Sequence, residues 1–256
     1  MQATKLGIEL ASLRLPFKQA LHTAATLGVD AVEIDARNEI SPRELSRTGV
    51  RQLRKMLDDL NLRVASVSFR TRRGYDTEEE LEARVAATKA AMDMAYNIGA
   101  GVVINRVGRI PADPEARAWK LLVEVLADLG RYGQRAGALL AAEAGAESGE
   151  DLARLFAALP EGALGIDLNP GNLLLSGHSP LDAATALRAW ILHVHVSDAV
   201  CGAAPGLGKP AAVGQGDADF PALFSTLQVH GYRGYFTIQQ QIAGDLAGAV
   251  EYLRRL

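Results

Sequence analysis

The sequence predicts a single-domain (β/α)8 TIM barrel that spans residues 1–256. Short apolar runs alternate with amphipathic helical patterns along the whole chain, which is the order of elements in a parallel α/β fold. There are eight such runs, and 256 residues match the length of about 250 that is usual for one barrel. No linker, low-complexity tract or charge block divides the chain. We therefore expect one domain rather than two.

The eight predicted strands are short, apolar and rich in β-forming residues, and each is followed by a helical pattern. In chain order they are Leu6–Leu10, Ala31–Ile34, Leu62–Phe69, Gly101–Asn105, Ala138–Ala142, Leu164–Leu168, Ile191–Val196 and Tyr235–Ile238.

Amphipathic patterns with helical spacing lie between these strands. They are clearest over Pro16–Leu27, Arg43–Leu60 and Glu78–Ile98. The third helix is expected to begin after Thr77 as its N-cap, because Glu80 follows three residues later in a capping-box pattern. Three glycines at the expected helix ends are predicted to be C′ residues, and they are Gly28, Gly99 and Gly231.

Composition limits the classes of function. A formal net charge of −3 gives no general electrostatic reason to bind nucleic acid or an anionic membrane. The single cysteine, Cys201, excludes an internal disulfide and fits a reducing compartment. The first residues form a strand-like run without the basic segment of a secretory signal, and no stretch reaches about 18 charge-free apolar residues. We expect a cytoplasmic protein with a small-molecule partner.

The run His-Val-His-Val-Ser-Asp at residues 193–198 is the most informative stretch. His193 and His195 are two residues apart on a predicted strand and therefore point to the same face, and Asp198 follows where the strand ends. A histidine pair of this kind can bind a divalent metal or hold a sugar. Asp198 is expected to be either a helix N-cap or a partner of His195.

Other polar side chains also follow predicted strands, and in TIM barrels the chemistry collects at these strand ends. Carboxylate, amide and imidazole groups would converge there into an oxygen and nitrogen site for a hard or borderline metal ion. The strand-end residues include Glu33, Arg70, Arg106, Glu143, Asp167, Asn169, Asn172 and Gln239, with Lys209 in the glycine-rich loop before the last strand.

Basic side chains near the same edge suggest an anionic ligand, because guanidinium groups pair well with phosphate or carboxylate. The alternative is that Arg72 and Arg73 simply form a solvated loop. The cationic set is Arg70, Arg72, Arg73, Arg106 and Lys209.

Three stretches together resemble a known family. They are GVDAVEIDAR at 28–37, HVHVSDA at 193–199 and VGQGDADFPALFSTLQVHGYRGYFTI at 213–238. The chain is similar over essentially its whole length to sugar phosphate isomerase/epimerase proteins with the xylose-isomerase-like TIM barrel, which are related to AP endonuclease family 2. The resemblance implies a divalent metal (manganese, magnesium, zinc or cobalt) held by Glu, Asp, His and Glu on strands five to eight. It also implies proton transfer next to a carbonyl through a metal-stabilised enediolate.

The implied ligand set carries over only in part. Glu143 matches the glutamate of strand five and His195 the histidine of strand seven. The family's Asp-Pro-x-Asn run aligns with residues 169–172, so the ligand aspartate is Asn169 here, and the last glutamate is Gln239. Asp167, two residues before Asn169, points to the same face one step deeper and could partly substitute.

An amide brings no charge to a metal site and cannot act as a general base near neutral pH. The predicted shell therefore binds a divalent metal weakly or not at all. A second base would come from Glu33, Asp198 or His193; otherwise the protein performs one-base chemistry or has lost catalysis.

The leading prediction is an isomerase- or epimerase-like enzyme for a small sugar, polyol or sugar acid. The alternative is a catalytically silent barrel that binds a carbohydrate-like ligand. An endonuclease acting at abasic sites is disfavoured, because its additional metal-binding histidines are not found. The sequence leaves open whether the barrel forms a homodimer.

The predicted catalytic residues are Glu143, His193 and Gln239. The predicted metal ligands are Glu143, Asp167, Asn169, His195 and Gln239. The predicted substrate-binding residues are Glu33, Arg70, Arg106, Asn172, His193 and Lys209.

Overall fold

The computed structural model describes residues 4–242 and 244–256. Eight parallel strands close into a barrel in the order β1, β10, β7, β6, β5, β4, β3, β2, which confirms the predicted (β/α)8 fold. Each barrel strand begins and ends within two residues of its predicted bounds. The strands are β1 Leu6–Glu9, β2 Ala31–Asp35, β3 Arg63–Ser68, β4 Val102–Asn105, β5 Leu139–Glu143, β6 Gly165–Leu168, β7 Ile191–Val196 and β10 Phe236–Ile238.

Helices cover the outside of the barrel. They are α1 Phe17–Thr26, α2 Arg47–Asp59, α3 Leu81–Ile98, α4 Arg117–Ala136, α5 Gly149–Ala157, α6 Pro170–Leu175, α7 Pro180–Leu187, α8 Phe220–Val229 and α9 Leu246–Arg254, with a 3-10 turn at Leu10–Leu13. Gly28, Gly99 and Gly231 have φ of +74°, +93° and +84°, so the predicted left-handed ends are confirmed. Among the described residues, no helix combines the length and apolarity needed to cross a membrane.

Two predicted helix starts are wrong. Helix α2 begins at Arg47 rather than Arg43, because Ser46 accepts a hydrogen bond from Gly49 N at 3.1 Å and acts as the N-cap. Helix α3 begins at Leu81, after Glu80 in a left-handed conformation, and Thr77 does not cap it. The Arg84 guanidinium donates to the carbonyls of Thr77 and Glu79, which holds this stretch as a turn.

A small antiparallel hairpin was not predicted. It joins β8 (Asp198–Val200) to β9 (Lys209–Ala211) just beyond the end of β7.

Two expectations are not tested by the structure. The expected lack of a signal segment depends partly on the first three residues, which lie outside the described residues. The assignment of the whole chain to one domain also stays a prediction.

The interior of the barrel is polar at its centre. Alternate residues of each strand face the axis, and here the inward positions of β2, β6, β7 and β10 are Glu33, Asp167, His193, His195 and Thr237, all at most 1% exposed. Gly7 makes room for them, since a Cβ at this position would lie 2.7 Å from Thr237 Oγ1. The large apolar side chains instead pack between the strands and the helices, as in Leu6 and Ile8 of β1.

Candidate active site

A cavity of about 450 Å³ opens at the carboxyl ends of the strands, where TIM barrels hold their active sites. Glu143, the last residue of β5, and Asn172, in the first turn of α6, line it together with the loop residues Arg72, Arg106 and Glu147. A six-carbon sugar fits a cavity of this size. The mouth of the barrel is therefore the candidate active site.

Glu143 is the centre of the hydrogen bonding at the mouth. Its Oε1 accepts from Arg70 Nη2 at 3.0 Å, from Asn169 Nδ2 at 3.2 Å and from Asn172 Nδ2 at 3.2 Å. Its Oε2 accepts from Arg106 Nε at 3.1 Å. The side chain is only 2% exposed, and a carboxylate can be buried to this extent because two guanidinium groups pair with it.

The two amides that replace the implied carboxylates form a chain across the mouth. Asn169 Nδ2 also donates to Gln239 Oε1 at 3.0 Å, and Gln239 Nε2 donates to Glu9 Oε1 at 3.3 Å. Asn169 Oδ1 accepts from Asn172 N at 3.1 Å and from the Ser197 hydroxyl, which makes Asn169 the N-cap of α6. Both amides therefore present N–H groups to carboxylates, and their orientation is fixed by these partners.

A second layer of polar groups lies directly below. The carboxylate of Asp167 forms hydrogen bonds with both histidines: Oδ1 lies 2.8 Å from His193 Nδ1, and Oδ2 lies 2.6 Å from His195 Nδ1. His195 Nε2 lies 3.1 Å from Glu33 Oε2, and His193 Nε2 lies 2.8 Å from Thr237 Oγ1. The layer is a continuous hydrogen-bonded network without solvent exposure.

The charges of this layer stabilise one another. Burial lowers the pKa of His195, but the carboxylates of Asp167 and Glu33 outweigh it, so that the pKa is raised well above its ordinary value. Burial likewise acts to raise the pKa of Glu33, yet the charge and hydrogen bond of His195 bring it down to about 2. The pKa of Asp167 is lowered in the same way, against the effect of burial, by His195 and by the hydrogen bonds of both histidines. An imidazolium thus lies between two carboxylates.

The structure brings most of the predicted site residues together, in two layers. The upper layer contains Arg70, Arg106, Glu143, Asn169, Asn172 and Gln239, and the lower layer contains Glu33, Asp167, His193 and His195. Their roles as catalytic, metal-binding or substrate-binding residues stay predictions.

Two residues are not where the sequence placed them. Asp198 is neither a helix N-cap nor a partner of His195, because its carboxylate accepts backbone N–H groups of Gly214, Gly216 and Ala218 and so organises the loop after β9. Both of its oxygens are engaged there, which argues against its use as a replacement base. Lys209 is exposed on the outer strand of the hairpin and does not line the mouth cavity.

Sequence reasoning missed Glu9, Ser66 and Thr237. Ser66 Oγ donates to Glu33 at 2.6 Å, and Glu9 accepts from Gln239. The signal for Glu9 was present in the alternation of β1, where Gly7 and Glu9 share the inward face. A polar residue at an inward strand position is the general signal for all three.

Residues capable of holding a metal do come together. One ligand atom from each of Glu143, Asp167 and His195 lies within 4.8 Å of the other two, and the same holds for Glu33, His193 and His195. The ligand set implied by the family resemblance nevertheless does not fit an ion in this arrangement. Glu143 is paired with two guanidinium groups, and both ring nitrogens of His195 face carboxylates. Asn169 and Gln239 direct N–H groups, rather than free oxygens, toward their carboxylate neighbours.

The barrel and its polar mouth define a class of protein. The profile of the family described as "Xylose isomerase-like TIM barrel" matches residues 21–256, and the chain therefore belongs to this family. The resemblance noted from the sequence motifs is confirmed.

Particular relatives are more distant. Inosose dehydratase of Clostridium beijerinckii is 24% identical over 270 aligned residues, which cover 92% of this chain and 86% of that protein. A xylose isomerase domain protein from Planctomyces limnophilus has a similar structure, with a TM-score of 0.82, 22% identity and coverage of 99% and 93% of the two chains. A xylose isomerase-like TIM barrel protein from Mycobacterium smegmatis, in complex with magnesium, has a TM-score of 0.78 at 18% identity, with coverage of 99% and 96%.

Proposed function

We propose that this chain is an enzyme that removes a proton from the carbon next to a carbonyl group in a small sugar, polyol-derived ketone or sugar acid. The observation that carries the proposal is the buried carboxylate of Glu143 in the wall of a sugar-sized cavity, held between two arginines. The inosose dehydratases among the relatives support a polyhydroxylated carbonyl compound as the substrate class. Isomerase- or epimerase-like proton transfer on such a compound is the reaction predicted from the sequence.

Glu143 Oε2 is the atom best placed to accept the proton. Oε1 has three hydrogen-bond donors, whereas Oε2 has only Arg106, whose side chain is 66% exposed and free to shift when a substrate enters. The electron pair of the broken C–H bond then forms a C=C bond, and the negative charge moves to the carbonyl oxygen. A guanidinium group beside the cavity stabilises this charge.

Glu147 is a candidate for the acid of the reaction. It lines the same cavity, and burial raises its pKa, with the charges of Asp151 and Asp76 adding to the effect. Two carboxyl groups in contrasting environments can divide the roles of base and acid. The proton from Glu147 can return to the same carbon from the other face, which completes an epimerisation. It can also go to the former carbonyl carbon while the proton of the adjacent hydroxyl moves to the former carbonyl oxygen, which completes an isomerisation. In a dehydration it leaves with a neighbouring hydroxyl group as water while the electrons of the broken C–O bond depart with that oxygen.

The metal-assisted form of this chemistry stays a prediction, because it requires Glu143 to exchange its two guanidinium partners for an ion. A catalytically silent barrel is the second candidate. The replacement of two carboxylates by Asn169 and Gln239 favours it, since it removes one of the two bases implied by the resemblance.

The test is deuterium exchange followed by nuclear magnetic resonance, with inososes, ketohexoses and sugar acids in D2O. We expect the wild-type protein to exchange the proton next to the carbonyl of one of these compounds, and Glu143→Gln to slow exchange by at least about 100-fold. Glu150→Gln, an exposed carboxylate on α5, is the matched control and keeps the wild-type rate. Ligand binding without exchange would identify the silent barrel, and full exchange in Glu143→Gln would remove Glu143 from the mechanism.

A further inference from the structure

Arg70 lies across the mouth of the barrel. It follows the end of β3, and its Nη2 is 3.0 Å from Glu143 Oε1 while its Nη1 is 3.8 Å from Glu9 Oε1. In the closed order of eight strands, β1 and β5 stand opposite each other. A guanidinium that reaches carboxylates on two opposite strands is therefore located near the barrel axis, in the space that carboxylates of the strand ends surround.

The charge of Arg70 is firmly held. Burial acts against it, but the carboxylates of Glu143 and Glu9 outweigh this effect, so that the pKa of Arg70 is raised above its ordinary value. The side chain is 39% exposed, and it contacts Glu143, which lines the mouth cavity. Its Nε is buried and has no hydrogen-bond partner among the described residues, so its N–H can donate to a ligand oxygen after a small shift.

The replacement of two implied carboxylates by Asn169 and Gln239 is consistent in charge with a guanidinium, rather than a divalent ion, at this place. A shell of three carboxylates around a divalent ion leaves one negative charge in excess. With Asn169 and Gln239 in place of two of them, Glu143 is the one carboxylate that remains of the implied set. The charge of Arg70 is enough to balance it, and the more exposed Arg106 pairs with its other oxygen. The N–H groups of both amides then find acceptors in Glu143, Gln239 and Glu9, as they could not beside an ion.

We propose that Arg70 takes the place of a divalent ion in this barrel, so that a guanidinium supplies the positive charge that holds Glu143 and faces the carbonyl oxygen of the substrate. The replacement of the ion is carried by the geometry alone, and the contact with a carbonyl rests on the proposed function. A fixed guanidinium can stabilise a developing oxyanion without any exchangeable cofactor.

Calorimetric titration with manganese chloride tests the replacement without reference to activity. We expect no binding at millimolar concentration by the wild-type protein. Asn169→Asp with Gln239→Glu should make binding measurable, at least about tenfold (about 1.4 kcal/mol) tighter than the limit set by the wild-type titration. Adding Arg70→Met to these two changes should tighten binding by at least a further factor of about ten, because the competing cation is gone. Micromolar binding by the wild-type protein, or no gain on removing Arg70, would overturn the proposal.

Two controls sharpen the experiment. Arg72→Met removes the same charge from the same loop. Among the described residues, the arginines paired with Glu143 are Arg70 and Arg106, so Arg72→Met should not add to binding by the double variant. Arg70→Lys, added to the same double variant, keeps a cation without the planar fork. It should not tighten manganese binding in the way that Arg70→Met does, and its melting temperature shows whether the barrel is folded.

The deuterium exchange assay separates this inference from the proposed function. Exchange that survives EDTA in the wild-type protein and falls in both Arg70→Met and Arg70→Lys supports Arg70 as a catalytic residue. Exchange that EDTA abolishes would overturn the inference while leaving the proposed proton transfer intact. Absence of exchange with the expected manganese titrations would instead count against the proposed function alone.

Discussion

His195 has a carboxylate at each of its ring nitrogens, and this decides what the side chain can do. Asp167 lies at Nδ1 and Glu33 at Nε2, and all three groups are completely buried. A buried imidazolium is tolerated only when such partners repay its desolvation. The geometry and the raised pKa therefore favour His195 as the cation of an ion-pair network, while its role as a metal ligand stays a prediction.

Replacing Asp167 should lower the free energy of unfolding, because it leaves the buried charges of this network without one of their partners. In Asp167→Asn, the amide N–H meets an imidazole N–H, and His195 keeps only one carboxylate. We expect the free energy of unfolding to fall by about 3–5 kcal/mol, as measured by urea titration at pH 7. Asp59→Asn, which breaks an ion pair with Lys55 at 62% exposure, should cost less than about 1 kcal/mol. A similarly small loss in Asp167→Asn would show that the charges are not held as described.

The sequence predicted the inward positions of these residues but not their partners. Alternation along a strand places His193, His195 and Asp167 on the axis side. It does not say that Glu33, from a strand 162 positions earlier in the sequence, meets His195. Nor does it indicate that Arg70 reaches Glu143, because the path of a long side chain from a loop depends on the completed mouth of the barrel.

At the scale of elements, the loop between β2 and α2 shows that a helical sequence pattern can begin before the helix itself does. The helical pattern from Arg43 continues through residues that the structure leaves as turns, since Ser46 provides the stronger start. Inside this loop, Glu39 Oε2 accepts from Asp35 N at 2.7 Å. Burial raises the pKa of Glu39 to about 7, even though this hydrogen bond opposes the shift.

Glu39 should make the stability of the barrel depend on pH. Between its ordinary pKa of 4.5 and about 7, Glu39 is protonated in a larger fraction of folded molecules than of unfolded ones. The free energy of unfolding therefore falls as the pH rises through this window. Glu39→Gln removes the titration and keeps an acceptor oxygen for Asp35 N. We expect urea midpoints at pH 5 and pH 7.5 to lie closer together in this variant than in the wild type. Glu44→Gln, an exposed change in the same loop, should leave the wild-type difference, and an unchanged difference in Glu39→Gln would contradict the assignment.

At the scale of the whole molecule, the barrel closes where its first and last strands meet. β1 pairs with β2 on one side and with β10 on the other, and the register sets Gly7 opposite Ala31 and Thr237. The alternation of strands and helices was sufficient to predict a closed barrel of parallel strands. The hairpin of β8 and β9 was not predictable in the same way, because its strands are three residues long and lie beside glycine-rich loops.

Gly7 is the residue on which this closure should depend. A Cβ at Gly7 would lie 2.7 Å from Thr237 Oγ1, so Gly7→Ala must push the two closing strands apart or displace the hydroxyl that contacts His193. We expect a loss of about 1–3 kcal/mol in the free energy of unfolding, measured by urea titration. Gly101→Ala, where nothing lies within 4 Å of the added Cβ, should leave stability unchanged or slightly higher.

A double-mutant cycle decides whether the loss comes from this contact. Thr237→Ala removes Oγ1, so in its background Gly7→Ala should cost less than in the wild type, with an interaction energy of about 0.5–3 kcal/mol. Equal costs in both backgrounds would mean that Gly7 is required for a reason other than the room it leaves for Thr237. A reduced cost would show that one small residue at the seam allows the polar network to occupy the centre of a barrel that is usually filled by branched apolar side chains.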